Sequence, residues 1–185
     1  MTLLTIFLLA IGLSMDALAV SVCGGVALPA FQRTASGLKF GLWFGAFQAL
    51  MPVLGYYAAS MFQTYIENYD HWVAFLLLVY LGWNMLREAK SSCPIIKSYG
   101  VKDMFLLAVA TSIDALAVGI SFAFLQVNIW QAAVVIGLTT FVFSFVGCTC
   151  GTIIGEYGRE KAEMAGGVVL IVLGCKILLE HLGVL

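Results

Sequence analysis

Charge is what this sequence has least of. Aspartate, glutamate, lysine and arginine together make up 10% of its 185 residues, against about 25% in a soluble globular domain. The mean hydropathy is +1.03, so an ordinary soluble fold is excluded. No run of basic residues occurs and the formal net charge is -1, which excludes the positive patch or stripe that grips nucleic acid. Among the five cysteines, Cys23, Cys93, Cys148, Cys150 and Cys175, none forms a CxxC pair, and no disulfide framework is expected. Cys148 and Cys150 would lie about 200° apart around a helix, a poor chelate. All five read as small apolar packing residues. The first apolar segment has no basic region ahead of it and carries an aspartate in its middle, so it is expected to belong to the mature protein rather than to a signal peptide.

What the chain does have is long apolar runs. They lie near Leu3 to Val26, Leu38 to Phe62, Trp72 to Leu86, Met104 to Leu125, Trp130 to Ile154 and Met164 to Leu182. The third is short and is expected to begin near Tyr69. At about 1.5 Å per helical residue such runs suit a hydrocarbon core of roughly 30 Å. Their length and continuity indicate helices rather than barrel strands, which would alternate over about ten residues. The expected fold is therefore all-α, a polytopic membrane protein with six transmembrane helices in a single membrane domain, 1–185.

Six spans place both termini on one side of the bilayer. The basic residues then sort: Arg33 and Lys39 flank loop one, Arg87, Lys90, Lys97 and Lys102 flank loop three, and Arg159 and Lys161 lie in loop five. By the positive-inside rule, loops one, three and five are cytoplasmic and both termini are outside. The ninth basic residue, Lys176, lies within the last span.

The sequence also repeats itself. Ser14-Met-Asp-Ala-Leu-Ala-Val20 and Ser112-Ile-Asp-Ala-Leu-Ala-Val118 differ at one position of seven. Leu78-Val-Tyr-Leu-Gly82 with Glu88 likewise matches Leu170-Ile-Val-Leu-Gly174 with Glu180, and Gly41, Phe47 and Gly55 match Gly137, Phe143 and Gly151. Repeat one is expected at about 1–88, a cytoplasmic linker at about 89–102 and repeat two at about 103–185. Three spans per repeat is an odd number, so the repeats must be inverted, an arrangement that secondary transporters use to place substrate near the midplane.

Asp16 and Asp114 are the equivalent acids, each near the middle of its run. A lipid-exposed aspartate there costs about 3 kcal/mol, so both are expected to face protein or water. Their neighbours at helical spacing, Gly12, Ala19 and Cys23, and Ala110, Ala117 and Ser121, are small enough for close packing. Two carboxylates in one low-dielectric site repel each other until a divalent metal or two protons neutralise them. Ser14 and Ser112 fall on another helix face and are expected to bond within the helix. Pro52 withholds an N–H from the carbonyl of residue 48, so the side chain and backbone of Gln48 could both offer oxygen. Ser144 is its counterpart, with Cys148 in place of the proline. Asn84 and Lys176 are equivalent positions in spans three and six. Lys176 either snorkels outward or serves as an internal cation near the aspartates. His71 and His181 mark outer span ends. Oxygen donors of these kinds suit Mn²⁺, Mg²⁺ or Ca²⁺ rather than softer ions.

The Ser-Met-Asp-Ala element, its partner Thr111-Ser-Ile-Asp-Ala-Leu-Ala-Val-Gly119, Phe44-Gly-Ala-Phe-Gln-Ala-Leu-Met-Pro52 and Leu173-Gly-Cys-Lys-Ile-Leu178 resemble the MntP-type manganese efflux pumps across the whole chain. The resemblance implies a bacterial inner-membrane exporter of Mn²⁺, within a wider set that includes lysine exporters, and neither an enzyme nor a holder of a cofactor. It carries the family's paired aspartates onto Asp16 and Asp114 and its polar position before the proline onto Gln48, where some relatives have glutamate. Loop three lacks the acidic run of some relatives.

Export of a divalent ion from a negative interior works against about 4.6 kcal/mol per 100 mV. Protons entering from outside are the expected coupling ion, with Mn²⁺, protons and the lipid bilayer as partners. Three other readings remain at this point, one of them a purely structural membrane protein. An amino-acid exporter would need a pocket for both a carboxylate and an ammonium group. An intramembrane aspartyl protease would explain two aspartates, but Thr-Ser-Ile rather than Gly-x-Gly precedes Asp114, and proteolysis leaves the repeat unexplained.

Overall fold

The computed structural model describes residues 2–60, 70–89 and 100–181. Among these, every regular element is a helix: α1 (Leu3–Ala27), α2 (Ala30–Ser60), α3 (Asp70–Glu88), α4 (Val101–Thr111), α5 (Ile113–Phe124), α6 (Ile129–Thr149) and α7 (Gly151–His181). Leu3–Ala27, Ala30–Ser60, Ile129–Thr149 and Tyr157–Leu179 are long and apolar enough to cross a bilayer. α4 and α5 form a fifth such span when the bent pair is counted as one, and α3 adds a shorter apolar stretch, Phe75–Arg87. The protein is all-helical in its described residues and multi-pass.

The helix ends follow local chemistry. Thr2 caps α1 by accepting from the Thr5 amide at 3.3 Å, and Asn128 caps α6 by accepting from the Gln131 amide at 3.3 Å. α1 stops where Leu28 turns extended (φ -98, ψ 145) before Pro29, since a residue ahead of proline is disfavoured in the helical region. The Pro29 carbonyl then accepts from Gln32 at 3.0 Å and α2 begins at once. Arg33 and Lys39 therefore lie inside α2 rather than flanking a loop. Arg33 Nε donates to the carbonyls of Gly25 (3.0 Å) and Leu28 (3.1 Å), closing the end of α1, while Nη1 donates to Thr152 Oγ1 at 3.0 Å.

Four further expectations are corrected. The fifth span ends at Thr149, before Ile154, and what was expected as loop five is helix within α7. A kink interrupts that helix at Gly155, whose φ of 62 and ψ of -176 suit only a residue without Cβ. Arg159, expected as a loop cation, is buried, pairs with Glu163 at 3.0 Å and donates to the Ala89 carbonyl at 3.4 Å. The span Met104 to Leu125 is broken into α4 and α5, bent by 42° at Ser112 (φ -114, ψ 8). Cys23 is disulfide-bonded, contrary to the reading of all five cysteines as packing residues, whereas Cys148, Cys150 and Cys175 are free.

The helices pack in pairs. α2 crosses α6, α3 packs on α7, α1 lies against α6 and α7, and α5 lies against α2 and α3. Glycines set the closest approaches: a Cβ at Gly45 would sit 2.8 Å from the Gly137 carbonyl oxygen, and one at Gly137 would sit 3.0 Å from that of Gly45. The buried side chains fall into two main groups. The larger joins Leu9, Leu13, Val118, Phe122, Ile136 and Leu170. The smaller joins Ala17, Phe40, Phe44, Met104, Ala108 and Cys148.

Candidate functional site

Along α1 the larger apolar cluster extends to Leu13 and the smaller one begins at Ala17, with Asp16 between them. Along the bent pair the order reverses. The smaller cluster reaches Ala108, the larger begins at Val118, and Asp114 lies between. Both aspartates are half-buried. α1 and α5 each carry their one acid where the two apolar clusters meet.

The local geometry of the two acids is the same. Asp16 Oδ1 accepts from the amide of Ala17 at 2.7 Å, and Asp114 Oδ1 accepts from the amide of Ala115 at 2.7 Å. Ser14 Oγ donates to the Ala10 carbonyl at 2.6 Å, and Ser112 Oγ donates to that of Ala108 at 2.5 Å, the intrahelical bonds expected of these serines. Asp114 also sits in the first turn of α5, where the positive end of the helix dipole favours an anion.

Buried neutral oxygens lie on the helices that pack against α1. Gln48 is buried on α2, and its Nε2 donates to the Leu13 carbonyl at 2.8 Å. With the nitrogen thus committed, the side-chain oxygen is fixed in orientation, and Gln48 Oε1 is buried without a protein partner. Ser144 on α6 is fully buried, and its Oγ likewise has no protein partner. A buried oxygen left without a donor costs about 1–3 kcal/mol, so these atoms suit a cation or water. Pro52 is buried inside α2 and meets Gly119 of α5 at its carbonyl. Asn84 is half-buried on α3, and Lys176 is exposed on α7. The side chains of His71 and His181 lie outside the described residues.

Sequence reading passed over Thr140. It is buried on α6, and its Oγ1 lies 2.8 Å from Ser14 Oγ, so Ser14 has a bond across to another helix besides the one within its own. Thr140 is one turn from Ser144 on the same face, a signal that gains meaning only once α6 is known to lie beside α1. Among the described residues no three His, Cys, Asp or Glu side chains gather as a metal cluster. A cation held here would rely on carboxylates supplemented by neutral oxygen, a donor set for hard divalent ions.

Residues 31–178 match the model of a protein family described as "Putative manganese efflux pump". Three similar proteins carry the name "Putative manganese efflux pump MntP". That of Desulfitobacterium hafniense is 51% identical, over 98% of this chain and 97% of the relative. That of Acetivibrio thermocellus is 47% identical, over 100% and 94%. That of Methanosarcina mazei is 47% identical, over 98% of both. No solved structure matches.

Proposed function

The chain belongs to the manganese efflux pump family, a family of transporters rather than enzymes, and on that premise we propose that it exports Mn²⁺ across the bacterial inner membrane by proton-coupled alternating access. Asp16 and Asp114 are the shared carboxylates of the cargo site, with Gln48 Oε1 as a further ligand and Asn84 and Ser144 as secondary oxygens. The observation that carries this reading is the buried, oriented and unpartnered oxygen of Gln48, whose amide nitrogen is tied to the Leu13 carbonyl on the helix that bears Asp16.

The chemistry of exchange follows from charge. Two carboxylates facing one low-dielectric space are neutralised by one Mn²⁺ or by two protons, and a site filled by either has little electrostatic reason to hold the other. Protons arriving from outside displace the metal outward. Two protons per ion would be electroneutral, and three would also draw on the membrane potential, which opposes export by about 4.6 kcal/mol per 100 mV.

We assign six spans in two inverted repeats, with both termini outside and the loops after α1, α3 and α6 cytoplasmic. Packing supports this arrangement. α1 lies on α6 and α7 as its counterpart α5 lies on α2 and α3, so exchanging the repeats leaves the pairings unchanged. The crossings are reciprocal as well. Gly82 faces the Gly167 carbonyl and Ile171, while the equivalent Gly174 faces the Phe75 carbonyl and Val79.

Reconstituted vesicles supply the test. Mn²⁺ movement should follow an imposed pH jump in the wild type and vanish in Asp16→Asn and Asp114→Asn, and cells carrying either variant should accumulate manganese. Indifference to pH sinks the proton coupling. Normal export by both folded variants sinks the site.

A further inference from the structure

The two repeats place the same carboxylate geometry in differently restrained helices. In a regular helix the amide of Ala17 serves the Leu13 carbonyl, and the amide of Ala115 serves that of Thr111. Here both amides donate to the neighbouring aspartate, at 2.7 Å each. The Leu13 carbonyl takes Gln48 Nε2 as a donor, and Ser14 is tied to Thr140 across the helix interface. The positions equivalent to Gln48 and Thr140 are Ser144 and Phe44. Phenylalanine has no hydroxyl, serine is too short to imitate the glutamine, and Ser144 Oγ has no protein partner. α1 runs unbroken from Leu3 to Ala27, whereas the chain bends by 42° between Thr111 and Ile113, at the site equivalent to Leu13 to Met15. A sharp kink needs an identifiable cause: the Thr111 and Ser112 hydroxyls both donate back to carbonyls one turn earlier, which bends a helix, and no tie of the Gln48 or Thr140 kind stands opposite to hold the joint straight.

We propose that Gln48 and Thr140 are positioning residues that hold α1 as the fixed arm of the cargo site, and that the untied Thr111–Ser112 joint is the hinge through which α4 and α5 carry Asp114 during transport. This deepens the export reading and rests on it for the identity of the cargo. The division of labour is a property of the helices alone. Metal on Asp16 meets a preset carboxylate and amide oxygen. Metal on Asp114 meets a carboxylate whose helix start can swing.

Paired spin labels on non-natural side chains test this in the full chain, one pair at Lys102 and Gln126 across the bend and one at Leu4 and Ala27 along α1. In the wild type the first distance should shift between metal-free and Mn²⁺-loaded protein while the second stays fixed. In Thr140→Val with Gln48→Met, both close in size to the native residues, α1 should acquire a bend without metal, seen as a shortened second distance. Ser144→Gln, which places an amide donor at the position equivalent to Gln48, should narrow the first distribution in metal-free protein, a change that loss of an oxygen ligand alone would not produce, and slow vesicle transport about tenfold. A straight α1 in the double variant, or equal movement of both pairs in the wild type, overturns the proposal. Absence of Mn²⁺ transport by wild-type vesicles would instead overturn the export reading, because the metal-free bend in α1 is measured without cargo.

Discussion

A side-chain oxygen whose amide nitrogen is already committed is a different ligand from one that is free to rotate. Gln48 spends its donor on Leu13 and presents Oε1 in a fixed direction, so Gln48→Met should weaken Mn²⁺ binding by about tenfold or more, as loss of an orienting oxygen does at other metal sites. Titration of the free-ion EPR signal measures it. Gly155 makes the opposite kind of contribution, purely through backbone. A Cβ there would meet nothing within 4 Å, yet φ is 62, so Gly155→Ala should cost about 1–3 kcal/mol through strain alone, visible as a lowered unfolding temperature in detergent. The aspartates were legible in the sequence because a polar residue in an apolar run stands out and this one occurs twice in the same heptapeptide. Thr140 was not. A hydroxyl in a membrane helix has a satisfactory local bond available to it, and only the neighbouring helix reveals that it reaches outward.

At the level of the helix, composition located the spans and misjudged their ends. Positive charge was read as loop, but the long stems of arginine and lysine let helices run on past the apolar region. Arg33 closes α1 and Arg159 is buried in a pair with Glu163, at 6% and 9% side-chain exposure. Arg159→Met should therefore be destabilising, because it removes the guanidinium that pairs with the buried Glu163 carboxylate. Adding Glu163→Gln should recover much of that loss, and unfolding in detergent distinguishes the two. The bend between α4 and α5 left no mark in composition, since no proline or glycine accompanies it. Its origin lies in what α6 and α2 fail to supply, which is invisible until the helices are assembled. The crossing of α2 and α6 brings Gly45 and Gly137 together, although only Gly137 has a glycine, Gly41, at its equivalent position in the other repeat. Gly137→Leu should force those helices apart and abolish correct packing, detectable as increased protease sensitivity of membrane-inserted protein.

For the whole molecule, the internal duplication was readable from the order of the residues, and with it the equivalence of the two acids, which share the same local geometry. The unequal treatment of the two halves was not, because it depends on which residues face each other across helices. Replacing manganese by a harder or softer divalent ion gives a further check on the oxygen-rich site: Mg²⁺ and Ca²⁺ should compete for binding more effectively in proportion to their fit to carboxylate and carbonyl oxygen than their position in the Irving–Williams order suggests, while Cu²⁺ should gain little from the absence of a Cys or His cluster among the described residues. Competition against the EPR signal reads this directly.

An apolar cluster lies on each side of the aspartates. An applied voltage falls mainly across dry material rather than across hydrated cavities. An ion travelling from the aspartates to either face must pass one of the two clusters, so each half of the journey crosses part of the potential. In the proposed topology Leu9, Phe122 and Ile136 lie on the outward side and Phe40, Phe44 and Met104 on the cytoplasmic side, so loading and release should both be sensitive to voltage. Capacitive currents on rapid Mn²⁺ addition to each face of an oriented membrane should accordingly appear from both faces.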